Sequence, residues 1–217
     1  MVPTNEIKKL RAFNNDKKLK TIMVKEIKWH QDQDKIIQGT YGDSNIADSK
    51  FCAVGCAIDS LNRKFGKNIQ NGNHKAFESE LGIPETLAYL QDDIFEKLPK
   101  DKALKFPLRF IKAIPVGADL SLVTPKFIVF VLEDCLVNAD EVGKQAINQT
   151  IGLWLKIIGG KTVNSADWSA ARSAAESAAR SAARSADWSA AWSAAWSAAY
   201  GRYANKLLKL LKEAPVK

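Results

Sequence analysis

Apolar residues recur along most of the chain at the three- and four-residue spacing of an amphipathic α-helix. In one such segment, Met23 and Ile27 share one face of a predicted helix that continues to Trp29. Asn15 or Asp16 supplies an N-cap for this helix, and we expect it to end near Gly39. An earlier short helix is predicted over residues 5–13 from the same kind of spacing.

Later segments repeat this pattern between glycine, proline and asparagine stops. Helices are predicted over FCAVGCAIDSLN, HKAFESELG, PETLAYLQDDIFEKL, DKALKFPLRFIKAI and DEVGKQAINQTIGLWLKII. The most apolar segment, ADLSLVTPKFIVFVLEDCL, contains β-branched residues that also suit a strand. We predict a buried helix there, because Pro125 suits a first helical turn and no second strong strand is present to pair with it. The predicted fold class is therefore all-α.

Between Ser165 and Tyr200, Ala and Ser separate larger residues that stand mostly at every fourth position. A step of four residues advances by about 400° around a helix, so successive large residues drift by about 40°. Cationic side chains in the first half and aromatic ones in the second half therefore occupy roughly opposite sectors. The series comprises Trp168, Arg172, Glu176, Arg180, Arg184, Trp188, Trp192, Trp196 and Tyr200.

A pair of glycines, Gly159 and Gly160, predicts a boundary before this repeat. We divide the chain into a compact helical domain over 1–158, a linker over 159–164 and a long C-terminal helix over 165–217. A continuous helix from Ser165 to Lys212 would be about 70 Å long. Because tryptophans are costly to expose to water, we expect this helix to pack against the helical domain or to build a homo-oligomer.

The formal charge of +8 favours an anionic partner. Three cysteines are too few and too scattered for a disulfide framework, and the usual zinc-binding spacings are absent, so we predict neither a metal nor a cofactor. No segment has the length and apolarity of a membrane span, and the N-terminus lacks the pattern of a secretory signal. These features predict a cytoplasmic protein without a membrane partner.

Arginine and aromatic side chains together suit a phosphate-bearing base, because guanidinium groups grip phosphate while rings stack on the base. The predicted ligand is therefore small, anionic and nucleotide-like. An acidic host protein is the alternative partner, and no helix-turn-helix signature indicates sequence-specific DNA binding. The candidate ligand-binding residues are Arg172, Arg180, Arg184, Trp188, Trp192, Trp196, Tyr200, His30 and Tyr41.

Specific catalytic motifs are lacking in the sequence, which favours a non-catalytic binding protein. One weaker alternative is a cryptic enzyme. His30 and Asp34 stand at i and i+4, a spacing that would place an imidazole and a carboxylate on one helical face for general-base catalysis. A nucleophile would have to come from Cys52 or Cys56. A histidine with a purely structural role near Gly39 is the competing interpretation.

Four segments carry a resemblance to known sequences: WHQDQDKIIQGTYG, FCAVGCAIDS, ELGIPETLAYLQDDIFEKLP and FPLRFIKAIPVGADLSLV, followed by an Ala/Ser/Trp/Arg-rich tail that ends in YANKLLKLLKE. From about Thr21 onwards, the chain resembles a group of uncharacterised proteins from bacteria and their phages. The resemblance implies no catalytic residue. It implies a phage counter-defence protein of the bacterial cytoplasm, which either sequesters an anionic nucleotide signal in a basic, aromatic pocket of an oligomer or inhibits a nucleic-acid-binding defence enzyme.

Overall fold

The computed structural model describes residues 10–43, 46, 48–173 and 190–216, with the backbone alone over 190–197. Within these ranges the fold is all-α, as predicted, and it contains no strand beyond two isolated bridges. A helical stretch over 165–173 and a 3-10 turn at Ala12–Asn15 accompany the main helices. The main helices are α1 (Lys17–Asp32), α2 (Ala53–Phe65), α3 (Lys75–Leu81), α4 (Glu85–Lys97), α5 (Lys100–Ala103), α6 (Phe106–Ala113), α7 (Val123–Leu136), α8 (Glu141–Ile158) and α9 (Ala190–Lys212).

The chain divides into two compact units. One unit comprises Met1–Ser121 together with Tyr200–Lys217, and the other comprises Leu122–Ala199. Helix α9 therefore contributes its C-terminal part to the first unit. Among the described residues, no helix combines the length and the apolarity that a membrane crossing requires.

Aromatic and aliphatic side chains from several helices form the core of the first unit. Phe77, Phe95, Phe106 and Phe110 are completely buried. The last turns of α9 belong to the same unit, and their residues Leu207, Leu208 and Leu211 are buried as well. A backbone hydrogen bond, in which the amide of Asp119 donates to the Pro215 carbonyl at 2.8 Å, holds the segment after α9.

Helix α1 ends at Asp32, several residues before the predicted end at Gly39. Asp34 adopts a left-handed conformation with φ of 51°, which takes the backbone out of the helix. The following residues extend and pair with the segment before α2, where the Phe51 amide donates to the Lys35 carbonyl at 2.7 Å. This pairing is a long-range contact, so the helical pattern of the preceding residues could not indicate it.

Two further local predictions need correction. The described end of the predicted 5–13 helix is a 3-10 turn whose Phe13 and Asn14 have positive φ angles. The segment DKALKFPLRFIKAI forms two helices, α5 and α6, because the chain turns at residues 104–105 and Pro107 occupies the first turn of α6. Proline is tolerated there, since the first amides of a helix have no intrahelical acceptor.

The second unit contains α7 and α8, which pack together. The apolar segment with β-branched residues is indeed a helix, and Pro125 lies in its first turn as predicted. Phe127 and Val129 of α7 are buried. In the same unit, the rings of Trp154 and Trp168 meet edge to face with centroids 5.0 Å apart.

Candidate functional site

A basic pocket lies between α6 and the C-terminal part of α9, within the first unit. Its volume of about 460 Å³ is in the range of small-ligand sites. Apolar side chains contribute to its lining, and cationic side chains dominate its polar part. The lining consists of Arg109, Lys112, Ala113, Asn205, Leu208, Lys209 and Lys212.

The positive charge of the basic pocket is only weakly compensated. Nη2 of Arg109 donates to Oδ1 of Asn205 at 3.1 Å, so a neutral amide orients this guanidinium. Nζ of Lys209 lies 3.9 Å from a carboxylate oxygen of Glu213. Within the described parts of the chain, Lys112 and Lys212 form no ion pair with a carboxylate. The basic pocket is therefore suited to bind an anion.

The carbonyl groups at the C-terminal end of α6 are satisfied by Lys20 and not by the cationic side chains of the basic pocket. Nζ of Lys20 lies 2.6 Å from the Ile114 carbonyl and 3.2 Å from the Lys112 carbonyl, so a lysine from α1 satisfies these acceptors. Burial lowers the pKa of Lys20. The side chain of Lys112 is exposed and is available to a ligand.

His30 lies in a second polar cluster, which joins α1 to α2. Its side chain is completely buried, and Nε2 lies 3.1 Å from Oδ2 of Asp59. Nε of Arg63 donates to the same oxygen at 2.6 Å, and Nη2 of Arg63 lies 3.0 Å from Glu26. The guanidinium also stacks on Trp29 at 4.2 Å from the ring centroid. This arrangement holds two helices together.

The predicted pairing of His30 with Asp34 is wrong. Asp34 lies beyond the end of α1 and forms an exposed ion pair with Lys50 at 2.9 Å. The pKa of Asp34 is lowered by its hydrogen bond and charge interaction with Lys50. His30 instead faces Asp59 and Phe51, so the predicted general-base pair does not form on one helical face.

A third polar cluster, which we call the Asp92 cluster, brings together residues from four places in the sequence. Oδ2 of Asp92 accepts a hydrogen bond from the Tyr41 hydroxyl at 3.2 Å and lies 3.1 Å from Nε2 of His74. The imidazole of His74 stacks on Tyr89 with ring centroids 4.0 Å apart. Cys52 Sγ, Asp92 and Glu96 donor atoms lie within 4.8 Å of one another.

Local structure positions the members of the Asp92 cluster. Cys52 is the N-cap of α2, and its Sγ accepts a hydrogen bond from the Gly55 amide at 3.4 Å. Asp92 and Glu96 stand one turn apart on α4. The loop of Tyr41 packs directly on α2, since a Cβ atom added at Gly55 would lie 2.2 Å from the Tyr41 carbonyl oxygen. Glycine at this position permits that close approach.

Burial is the main cause of the raised pKa values in the Asp92 cluster. It raises the pKa of the Cys52 thiol to about 12, with a further contribution from the charge of Asp92. Burial and the Asp92 charge likewise raise the pKa of Tyr41 to about 12. The pKa of Glu96 is also raised, chiefly by burial. Each of these groups therefore favours its neutral form more strongly than it would in water.

The candidate ligand-binding residues from the sequence do not form one group in the described structure. Tyr200 is buried in the first unit, where Nζ of Lys97 lies 5.2 Å from its ring centroid. Tyr41 belongs to the Asp92 cluster and His30 to the Asp59 pair. Arg172 is exposed on the helical stretch over 165–173. Outside the described residues lie Arg180, Arg184 and Trp188, together with the side chains of Trp192 and Trp196.

Sequence reasoning missed Arg109, His74 and Asp92 as members of polar sites. The lysines near the C-terminus were visible as a local excess of positive charge. Their approach to Arg109, about a hundred positions earlier, depends on tertiary packing and has no signal in the spacing. His74 immediately precedes α3 and Asp92 lies on α4, and the usual metal-binding or catalytic spacings do not include them. A comparison of the chain with protein-family models, curated proteins and solved structures found no match.

Proposed function

We propose that the protein is a non-catalytic binder of a small phosphate-bearing anion of the nucleotide class, and that the basic pocket between α6 and α9 holds the phosphate groups. The observation that carries the proposal is the set of four cationic side chains around one cavity of about 460 Å³. Arginine and lysine are the residues that proteins use to bind phosphate.

The chemistry of the pocket suits phosphate groups better than an extended acidic protein surface. Leu208 and Ala113 provide an apolar surface within the cavity, and Asn205 holds Arg109 in place. A concave site with a few fixed polar groups is typical of small-ligand binding, whereas protein interfaces are broad and flatter. The net charge of +8 would further attract an anionic ligand. The role that fits these features is sequestration of the ligand.

Calorimetric titration with a panel of phosphate compounds tests the proposal. The panel comprises inorganic phosphate, nucleoside mono-, di- and triphosphates and cyclic dinucleotides, with the phosphate-free nucleosides as comparators. We expect saturable binding by at least one phosphate compound and none by its nucleoside. The double variant Lys112→Ala/Lys212→Ala should weaken this binding about tenfold, which corresponds to about 1.4 kcal/mol.

A matched control separates the pocket from general electrostatics. Lys17→Ala/Lys25→Ala also removes two exposed lysines from the first unit, but neither residue lines the pocket. This control should bind the ligand with unchanged affinity. Equal losses in the two double variants would show that binding depends on net charge alone, and the proposal would fail. It would also fail if no compound in the panel bound.

A further inference from the structure

The Asp92 cluster contains three donor atoms of the kind that bind transition metals. Sγ of Cys52 and carboxylate oxygens of Asp92 and Glu96 all lie within 4.8 Å of one another. Ligand atoms around a tetrahedral zinc ion, at bond lengths of about 2.0–2.3 Å, are about 3.3–3.8 Å apart. The three donors would therefore need to approach one another by at most about 1.0–1.5 Å to share one ion.

The two oxygens of Asp92 are in different environments. Oδ2 is held by the Tyr41 hydroxyl and by His74. Oδ1 is buried and has no hydrogen-bond partner, in a residue that is only 9% exposed. A buried acceptor without a partner is unfavourable, because it has lost its hydrogen bonds to water. A metal-binding carboxylate commonly has this arrangement, in which outer hydrogen bonds orient one oxygen while the other is free to bind.

The negatively charged carboxylates in the Asp92 cluster also favour the binding of a cation. Neither Asp92 nor Glu96 forms an ion pair with a lysine or an arginine within the described ranges. Asp59, by contrast, is paired with Arg63. His74 contacts Oδ2 of Asp92, but one imidazole cannot balance two carboxylates. A divalent cation beside Oδ1 would compensate this charge.

We propose that Cys52, Asp92 and Glu96 form a binding site for one divalent transition-metal ion, with Zn²⁺ as the ion that best fits the donors. A thiolate favours zinc over magnesium or calcium, which prefer oxygen ligands alone. His74 and Tyr41 act as positioning residues for the Asp92 carboxylate. Glu96 is partly exposed, so it borders the side from which the ion enters.

Metal binding at this site releases a proton. The thiol of Cys52 loses its proton to solvent as the sulfur–metal bond forms, and the ion remains divalent throughout.

Titration of the metal-free protein with Co²⁺ tests the site directly, because a cobalt–thiolate bond gives a charge-transfer band in the near-ultraviolet. We expect this band to saturate at one Co²⁺ per chain and to disappear when Zn²⁺ is added. The Cys52→Ala variant should lack the band. Cys135→Ser, which removes the exposed thiol of α7, should retain it.

A milder pair of variants keeps the test valid if Cys52→Ala folds poorly. Glu96→Gln changes a partly exposed ligand and should weaken Co²⁺ binding at least tenfold. Glu85→Gln removes a carboxylate from the opposite end of α4, about 16 Å away, and should leave binding unchanged. The proposal is overturned if the wild-type protein gives no thiolate band, if the band survives in Cys52→Ala, or if the two glutamine variants bind Co²⁺ equally.

Discussion

Nε2 of His30 lies 3.1 Å from Oδ2 of Asp59, and both residues are buried. Arg63 donates a second hydrogen bond to the same oxygen, and its guanidinium stacks on Trp29. The pair joins α1 to α2, two consecutive helices that are connected by the loop over residues 33–52. A buried carboxylate that is satisfied in this way contributes to stability only while its partners are present.

Removal of this carboxylate should destabilise the first unit. We expect Asp59→Asn to lower the free energy of unfolding by about 3 kcal/mol, because His30 and Arg63 lose their charged partner in a buried environment. Urea denaturation followed by circular dichroism measures the change. Asp32→Asn provides the control, since Asp32 forms an exposed pair with Lys28 and its loss should change stability by no more than about 0.5 kcal/mol. Equal effects in both variants would contradict a structural role for the buried pair.

Stability should also depend on pH through Asp59. Burial raises the pKa of this carboxyl, but hydrogen bonds from His30 and Arg63 outweigh burial and hold the pKa below its ordinary value. The stabilisation is therefore complete above the unfolded-state pKa of about 3.9, and it is lost as the pH falls through the lower folded-state pKa. Denaturation curves between about pH 6 and pH 2 should show a steeper acid loss in the wild type than in Asp59→Asn. Parallel curves would contradict the assignment.

A methyl group at Gly55 should disturb the loop that carries Tyr41. The added Cβ would lie 2.2 Å from the Tyr41 carbonyl oxygen, a distance that the backbone must relieve by moving. We expect Gly55→Ala to lower the free energy of unfolding by about 1–3 kcal/mol, as overpacking does elsewhere. Thermal denaturation measures this loss.

Gly201 gives a matched helical control for Gly55. It lies inside α9, and among the described residues an added Cβ would meet only Nζ of Lys102, at 3.9 Å. Gly201→Ala should raise stability by about 0.5–1 kcal/mol, because alanine loses less conformational freedom than glycine in a helix. If both alanine variants changed stability in the same direction, the close approach of the Tyr41 loop would not be the cause.

Ligand binding at the basic pocket should weaken as salt is added. Lys112 and Lys212 are exposed, so their interaction with an anion is screened by ions in solution. The screening length falls from about 10 Å at 0.1 M salt to about 3 Å at 1 M. Calorimetry at a series of salt concentrations should show a smaller salt dependence for Lys112→Ala/Lys212→Ala than for the wild type. An affinity that is independent of salt would argue against phosphate binding by these lysines.

The sequence was sufficient for features that depend on neighbouring residues. The all-α class, the helical state of α7 and the stop of α3 at Gly82 follow from spacing, proline position and capping. Each of these signals acts over a few residues, so it can be read along the chain. The limits of the predicted domains, the homo-oligomer and the roles of Arg172 and the tryptophans stay predictions.

Tertiary structure alone decided which distant polar groups meet. Asp59 rather than Asp34 pairs with His30, because α1 ends at Asp32 and the chain after Asp34 turns towards Phe51. Arg109 reaches Asn205, and Cys52 lies near Asp92, across long separations in the sequence. These contacts arise when whole helices pack to bury their apolar faces, and the energy of that packing depends on surfaces from several elements at once. The spacing of residues along one segment does not report this packing energy. For that reason the sequence predicted the helices but not the polar sites.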